Sequence, residues 1–330
     1  MKSKLLTYAR ALRVNQWIKN VIIYSSILFA GKLFDTNLFL ISTWAVVIYC
    51  LLSSASYLLN DIIDYQYDKK HPTKRFRPVA SGKISIPQAS FSVFLLSIVA
   101  LLLSLSISIS FFLLALIFLL LHFYYSLHLK KLPVVDIFVI SLSFVIRTLA
   151  GVAATGYHVP IWLLMTVFFM SLFMASVKRH SELVNVGTDA RESLLGYRNH
   201  LLYFLSATFA TLTIVSYALY TYTLYVDPAQ QTLFIENTFC DRTDLTYDER
   251  NECQKQEFTQ FIPRLFPSLE ARKLMMVTIP FVVYGVARYA QLLYDKEKGE
   301  RPEKLITTDK PLIGTIFLWG LTVTILIYIL

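Results

Sequence analysis

The chain has 330 residues, of which 55% are hydrophobic and only 16% are charged, and its mean hydropathy is positive. This composition is typical of a protein with several membrane-spanning helices and excludes an ordinary soluble enzyme. A net charge of +9 could suggest a nucleic-acid partner, but the bases cluster between apolar runs, which is the pattern of membrane proteins and predicts no nucleic acid.

Runs of about 20 apolar residues are expected to cross a bilayer as helices. The sequence predicts nine such spans, near 18–33, 37–59, 89–107, 110–128, 134–155, 160–178, 201–226, 273–293 and 311–330. The third and fourth come from one run that would be about 55 Å long as a single helix, against a hydrocarbon core of about 30 Å. We therefore expect the chain to fold back around residues 106–110. The predicted fold is all-α, in a single membrane-embedded domain over residues 1–330.

The connections between the spans differ in charge. Five basic segments are expected to share one side of the membrane, at residues 1–20, 69–83, 130–131, 178–198 and 296–310. Since cytoplasmic loops carry the excess of Lys and Arg, the amino terminus is predicted inside and the carboxyl terminus outside. The acid-rich connection 227–270 would then be an exterior loop. Its two cysteines, Cys240 and Cys253, could form a disulfide there, and a zinc site is the weaker alternative.

Two further sets of polar residues lie beside or within spans. Arg13, Gln16, Lys19 and Asn20 stand at the inner end of the first span, where they could contact phosphate, although juxtamembrane anchoring is the more ordinary explanation. Arg147 lies inside the fifth span, where a charge is a functional hypothesis by default. Its depth in the span favours a structural role.

The most informative stretch covers residues 60–82, after the second span. Asp61, Asp64 and Asp68 follow Asn60 at a spacing that places the three carboxylates on one face of a helix. Mg²⁺ suits such a cluster, because it takes a few carboxylates and fills its other positions with water and substrate phosphate. Three bases follow within a few residues, so the stretch predicts a diphosphate site: Lys74, Arg75 and Arg77. The alternative is a solvated loop whose bases only set the topology.

A second polar centre follows the sixth span. Lys178, Arg179 and Glu182 have helical spacing and can share a face. The polar stretch continues through Arg191, Tyr197 and Arg198. Two such centres facing each other could bind one polyanion between them, whereas bases that snorkel at a helix end beside an ion pair are the ordinary alternative.

These residues together resemble a known family. Asn60-Asp61-x-x-Asp64-x-x-x-Asp68 resembles the first signature of the UbiA superfamily, whose members are membrane prenyltransferases with nine helices around a central cavity. Four further stretches resemble its decaprenyl-phosphate phosphoribosyltransferase branch. They are QWIKN at 16–20, HPTKRFRPVASG at 71–82, the Lys178-Arg179-x-x-Glu182 segment with the later Arg191 and Tyr197, and EKGERPEKLITTDKPL at 297–312. The loop at 227–270 departs from the pattern as an insertion.

The resemblance implies transfer of 5-phosphoribose from phosphoribosyl pyrophosphate to a polyprenyl phosphate, with release of diphosphate. Asn60, Asp61, Asp64 and Asp68 would hold Mg²⁺ on the leaving diphosphate, with Asp64 and Asp68 as the catalytic pair. Glu182 would orient the neighbouring bases. The other predicted substrate-binding residues are Gln16, Lys19, Lys74, Arg75, Arg77, Lys178, Arg179, Arg191, Tyr197 and Arg198.

Two other functions are open at this point. One is transfer of a prenyl group from a prenyl diphosphate to an aromatic ring, the reaction of the wider superfamily. The other is a transporter or lipid carrier whose inner charges gate a pathway. A transporter would be expected to carry polar groups nearer the bilayer midplane and broken helices in both halves. The setting implied is a bacterial inner membrane with the active site on the cytoplasmic face. The oligomeric state is open, a homo-oligomer included.

Overall fold

The computed structural model describes residues 2–71, 73–186, 196–197, 199–223, 274–295 and 308–328. Within these ranges the regular structure is entirely helical. The α-helices are α1 (Lys2–Ala11), α2 (Ser25–Phe29), α3 (Thr36–Ile63), α4 (Tyr65–Lys70), α5 (Ile86–Leu105), α6 (Ile109–Leu127), α7 (Val135–Thr155), α8 (Ile161–Val186), α9 (Asn199–Thr223), α10 (Ile279–Asp295) and α11 (Lys310–Tyr328). A 3₁₀ segment covers Val14–Tyr24, and shorter 3₁₀ turns cover Lys74–Phe76 and Leu129–Lys131.

Eight of the described helical stretches are long and apolar enough to cross a membrane. They correspond to the second to ninth predicted spans, so the all-helical membrane fold is confirmed. The count of nine long helices is not, because the first predicted span forms the 3₁₀ segment Val14–Tyr24 and the five-residue α2. The loop 227–270, with Cys240 and Cys253, lies outside the described residues.

The Val14–Phe29 stretch nevertheless runs from one end of the bundle to the other. At one end Arg13 pairs with Asp61, and at the other Ser26 accepts a hydrogen bond from Thr155, the last residue of α7. A 3₁₀ helix rises about 2.0 Å per residue, so this stretch is about 29 Å long, comparable to the hydrocarbon core. α7 approaches it closely at Gly151, where an added Cβ would lie 2.2 Å from the carbonyl oxygen of Ile23.

The apolar run at 91–127 folds back as predicted. α5 ends at Leu105 and α6 begins at Ile109, with the Ser108 hydroxyl accepting the Phe111 N–H at 3.1 Å as an N-cap. α8, by contrast, extends beyond the predicted span. The second polar centre therefore begins inside a helix, where side-chain orientation is fixed by the helical repeat.

The two largest apolar clusters of the described core both include residues of α7. In the first, Tyr49 of α3 packs edge-on against Phe111 of α6, at 5.7 Å between ring centroids. In the second, Phe173 of α8 packs against Tyr289 of α10 at 5.8 Å. The end of α3 and the beginning of α7 are thereby brought to the same end of the bundle, where the polar residues gather.

Candidate active site

The acid-bearing stretch keeps its helical spacing although α3 ends at Ile63. The Asp64 N–H donates to the carbonyl of Asn60 at 2.9 Å, and the Asp68 N–H donates to the carbonyl of Asp64 at 2.7 Å. Each acid is therefore one turn from the next across the junction between α3 and α4. Asp61 and Asp68 are buried, at 2% and 1% exposure. The backbone therefore keeps the helical spacing on which the predicted site depends.

Arg77 joins two of these carboxylates. Its Nη1 lies 3.2 Å from Asp61 Oδ1 and 2.7 Å from Asp68 Oδ2, and Arg13 forms a further ion pair with Asp61. The chain just beyond Arg77 is anchored because Val79 and Ile84 are buried in an apolar cluster with Leu58 of α3. This anchoring holds the basic loop over the acids.

Lys130 serves the remaining members of the cluster. Its Nζ lies 2.5 Å from Asp64 Oδ1 and 3.2 Å from Asn60 Oδ1, while the Asn60 amide donates to the other Asp64 oxygen at 3.0 Å. Lys130 comes from the 3₁₀ turn between α6 and α7. The connection between these helices therefore reaches across to the end of α3.

The second polar centre is organised around Asp136, in the first turn of α7. The Arg179 guanidinium donates to Asp136 Oδ2 at 2.6 Å and to Glu182 Oε2 at 2.7 Å. The Tyr197 hydroxyl donates to Asp136 Oδ1 at 2.6 Å. Asp136 and Arg179 are buried, at 0% and 2% exposure. Both oxygens of the buried carboxylate are thus satisfied, as a buried charge requires.

The other predicted site residues differ in their surroundings. Arg75 is exposed, with its guanidinium 4.9 Å from the centre of the Phe76 ring. Partly buried side chains are found at Gln16, Lys19, Lys74 and Lys178. Arg191 and Arg198 lie outside the described residues. The binding roles given to all of these from the sequence stay predictions.

Three residues at this end of the bundle escaped assignment to the site. From the sequence, Arg13 is one of several residues that could contact phosphate, Lys130 belongs to a basic segment that indicates topology, and Asp136 has no predicted role. The available signal for Asp136 was an acid close to the start of a predicted membrane span, since such a charge requires a buried partner. Lys130 offered no comparable signal. Its partner Asp64 is 66 residues away in sequence.

The donor set fits a divalent cation, although no group of three or more acidic, His or Cys side chains is close enough to hold one among the described residues. Each carboxylate instead faces a cationic side chain. The Lys130 ammonium stands between oxygens of Asn60 and Asp64, and the Arg77 guanidinium stands between Asp61 and Asp68. Those oxygens can therefore converge on a positive charge, and carboxylate and amide oxygens are suitable ligands for Mg²⁺.

Local electrostatics also favour a cation beside Asp68. Burial raises the pKa of the Asp68 carboxyl above its ordinary value, and Arg77 opposes this shift. The neighbouring carboxylates of Asp61 and Asp64 raise the pKa further. An added cation would offset both the cost of burying the charged carboxylate and the repulsion between the like charges.

The described part of the chain is a bundle of helices that are long and apolar enough to cross a membrane, with paired acids and bases at one end. These features define the class of polytopic membrane proteins. Residues 21–234 match the model of the UbiA prenyltransferase family. Because this match covers more than half of the chain, the chain belongs to that family. It is accordingly an integral membrane protein, and the predicted family resemblance is confirmed.

Relatives and solved structures agree with this assignment. The chain is 36% identical over 226 residues to a Corynebacterium glutamicum protein named decaprenyl-phosphate phosphoribosyltransferase, a match covering 65% of this chain and 67% of that protein. A Mycolicibacterium smegmatis protein of the same name is 34% identical, over 64% of this chain and 69% of its own. A UbiA homolog from Archaeoglobus fulgidus, solved with DMAPP and Mg²⁺, superposes with a TM-score of 0.64 at 16% identity. That superposition covers 98% of this chain and 100% of the homolog, and it supports the fold.

Proposed function

We propose that the protein transfers 5-phosphoribose from phosphoribosyl pyrophosphate to a polyprenyl phosphate and releases diphosphate. The relatives named decaprenyl-phosphate phosphoribosyltransferase support this choice of substrates. The structural observation that carries it is the pairing of the carboxylates with Arg13, Arg77 and Lys130. The acids that could bind a metal and the bases that could bind phosphate oxygens lie at hydrogen-bond distance from each other.

The cofactor proposed is Mg²⁺, held by Asn60, Asp61, Asp64 and Asp68. Bound there, it would neutralise the negative charge that develops on the leaving diphosphate. Arg77 and Lys130 are then free to donate to phosphate oxygens of the donor, because their present carboxylate partners have a stronger cation. Charge-assisted hydrogen bonds of this kind hold phosphates firmly and orient them.

The acceptor needs no nucleophile from the protein. An oxygen of the lipid phosphate is already anionic and attacks the anomeric carbon of the donor. The new bond joins that carbon to the lipid phosphate, and the bond to diphosphate breaks with its electron pair leaving on diphosphate. The residues of the site are required to hold two anionic substrates together. The bases around the acids do this by offsetting the repulsion between the negative charges of the two substrates.

The alternative is prenyl transfer from a prenyl diphosphate to an aromatic acceptor. A solved UbiA homolog with DMAPP and Mg²⁺ keeps this alternative within the same fold. The second polar centre favours the phosphoribosyl donor, because at Lys178 to Glu182 it has two bases and one acid. Bases suit a donor that carries a second phosphate, whereas a second metal cluster requires acids.

The proposed location is a bacterial inner membrane, with the site on the cytoplasmic side. Among the described residues, Arg13, Arg77, Lys130 and Arg179 come from four of these basic segments. They lie at the same end of the bundle as the acids they pair with, which supports this orientation. Phosphoribosyl pyrophosphate is a soluble, highly charged molecule, so its site must open to an aqueous compartment that contains it. The polyprenyl chain would remain in the bilayer.

The decisive experiment is an assay of purified protein with labelled phosphoribosyl pyrophosphate and a short polyprenyl phosphate. Labelled lipid and released diphosphate are expected in equal amounts. The Asp64→Asn variant should produce neither. If the wild type ignores phosphoribosyl pyrophosphate and prenylates an aromatic acid, the alternative function replaces the proposed one and only the family assignment stands.

A further inference from the structure

The connection between Lys130 and α7 contains a strained turn. Val134 has φ 67° and ψ −47°, and the Val135 N–H donates to the carbonyl of Pro133 at 2.8 Å. This is a γ-turn with a positive φ at its central residue, a rare and strained form. Val134 is β-branched, for which a positive φ is a clear outlier. Such conformations persist only where the surrounding structure imposes them, and they concentrate at functional sites.

Tyr197 is the residue that holds this turn. Its hydroxyl accepts the Val134 N–H at 2.6 Å and donates to Asp136 Oδ1 at 2.6 Å, so one oxygen spans both sides of the turn. Tyr197 is only 4% exposed. The residue before it approaches just as closely, because an added Cβ on Gly196 would lie 2.3 Å from Pro133 Cγ.

The carboxylate that anchors Tyr197 is itself fixed. Asp136 receives Arg179 on its other oxygen at 2.6 Å, and Arg179 also binds Glu182 one turn further along α8. Burial and the nearby Asp136 carboxylate raise the pKa of the Tyr197 phenol, so the hydroxyl keeps the proton that it donates. The turn is therefore held from α8 as well as from α7.

The same connection also carries Lys130, and backbone hydrogen bonds fix its conformation. The Leu132 N–H donates to the carbonyl of Leu129 at 3.1 Å, and the Asp136 N–H donates to the carbonyl of Leu132 at 3.1 Å. Consecutive turns thus link Lys130 to the start of α7. A change in the backbone at Val134 would be transmitted to Lys130, whose ammonium lies 2.5 Å from Asp64.

We propose that Tyr197 is a positioning residue, which holds the strained turn at Val134 and thereby sets Lys130 against Asn60 and Asp64. This assignment replaces the direct contact with substrate predicted for Tyr197 from the sequence. It rests on the proposed function only in naming the donor. Through it, the end of the α8–α9 connection controls the geometry of the acid cluster.

A double-mutant cycle tests whether Tyr197 acts through Lys130. Tyr197→Phe removes both hydrogen bonds and is expected to lower kcat/KM for phosphoribosyl pyrophosphate about tenfold. If its effect passes through Lys130, adding Tyr197→Phe to Lys130→Ala causes no further loss. Independent effects would multiply instead. Tyr284→Phe, which removes the hydroxyl of an exposed tyrosine on α10, is the control and should behave as wild type.

A rescue experiment tests the role of strain. Glycine populates positive φ freely, so Val134→Gly removes the reason why the turn needs Tyr197. The double variant Val134→Gly/Tyr197→Phe should recover to within about threefold of wild type, whereas Val134→Ala/Tyr197→Phe, which keeps a Cβ at a positive φ, should not recover. A general loss of packing at Tyr197 would not be repaired by glycine at another position.

Each variant is also measured without turnover, by the thermal stabilisation that Mg²⁺ with inorganic diphosphate confers on the purified protein. This stabilisation should fall in Tyr197→Phe and return in Val134→Gly/Tyr197→Phe. If the variants show this pattern but the wild type does not use phosphoribosyl pyrophosphate, the positioning role is supported and the proposed function is rejected. Wild-type values in Tyr197→Phe, multiplicative losses with Lys130→Ala, or no rescue by glycine would each overturn the positioning role. If Tyr197→Phe cannot be purified because it does not fold, Val134→Gly/Tyr197→Phe should still be purified. If that double variant also cannot be purified, the positioning role is overturned.

Discussion

Arg147, in the middle of α7, donates its Nε–H to the side-chain oxygen of Asn20 at 2.8 Å. Arg147 is 2% exposed and, among the described residues, has no carboxylate partner. Its charge is instead met by the carbonyl and hydroxyl of Ser143, at 3.0 and 2.9 Å, and by the Phe118 ring at 4.6 Å. Arg147 thus ties the 3₁₀ segment Val14–Tyr24 to α7, which is the structural role that its depth in the span favoured.

The first prediction follows from this contact. Asn20→Leu leaves the buried Arg147 Nε–H without an acceptor, which should lower the free energy of unfolding by about 1.5–3 kcal/mol. Asn20→Asp keeps an acceptor at the same point and should be tolerated. The measurement is the apparent melting temperature of each purified variant in detergent. Equal stability of Asn20→Leu and wild type would show that the contact contributes nothing.

The second prediction concerns the metal. Asp64→Asn or Asp68→Asn should abolish turnover without unfolding the protein, because each removes charge from the cation site. A chelator should reproduce the loss in wild type, and added Mg²⁺ should reverse it there but not in the variants. Asp35→Asn is a matched control, because Asp35 caps α3 at its far end, where Asn is an equally good cap. Full activity of either variant, or full activity of the wild type in excess chelator, would exclude the metal role.

The spans and the acid cluster could be predicted because both depend on local sequence. A bilayer requires about 20 apolar residues per helix, and the helical repeat alone places Asp61, Asp64 and Asp68 on one side. The partners of these acids could not be predicted in the same way. Lys130 is 66 residues from Asp64, and Arg179 is 43 residues from Asp136, so both pairs depend on how the helices pack.

The first span shows a different limit. Its composition predicted an α-helix, but the structure has a 3₁₀ segment of eleven residues, longer than such segments usually are. Tertiary contacts account for the difference, since Trp17 donates to Ser54 of α3 and Asn20 is held by Arg147 of α7. Contacts of this kind override local propensity, and they leave no pattern in the segment itself. The positive φ of Val134 was equally invisible for this reason.

The third prediction concerns orientation. Lys83 and Ser110 are both exposed. Lys83 precedes the first residue of α5, Ile86, and Ser110 is in the first turn of α6, which begins at Ile109. Since α5 and α6 run in opposite directions, the two residues lie at opposite ends of this helix pair. In a background with Cys240 and Cys253 replaced by serine and the buried Cys50 retained, an impermeant maleimide on intact cells should label Ser110→Cys. It should label Lys83→Cys only after the cells are lysed. The reverse pattern would place the acid cluster on the outer face and remove the basis for a cytoplasmic donor.

The last prediction separates the structural and substrate-binding roles of Arg179. Its guanidinium is buried against Asp136 and Glu182, and removing one partner of a buried ion pair costs about 3–5 kcal/mol. Arg179→Ala should therefore lower the apparent melting temperature strongly. Arg288→Ala is the matched control, because Arg288 pairs with Asp309 at a more exposed position, where an ion pair contributes little.

Removing both buried charges should restore the stability. In Asp136→Asn/Arg179→Gln neither side chain is left as an unpaired ion, so the protein should melt close to wild type. If Arg179 also binds a phosphate of the donor, as the sequence predicts, this stable double variant should still show a KM for phosphoribosyl pyrophosphate raised tenfold or more, that is, by about 1.5 kcal/mol or more. The KM for polyprenyl phosphate should change little. A stable double variant with an unchanged KM for the donor would leave Arg179 with a structural role alone and would assign donor binding to Arg77, Lys130 and Lys178.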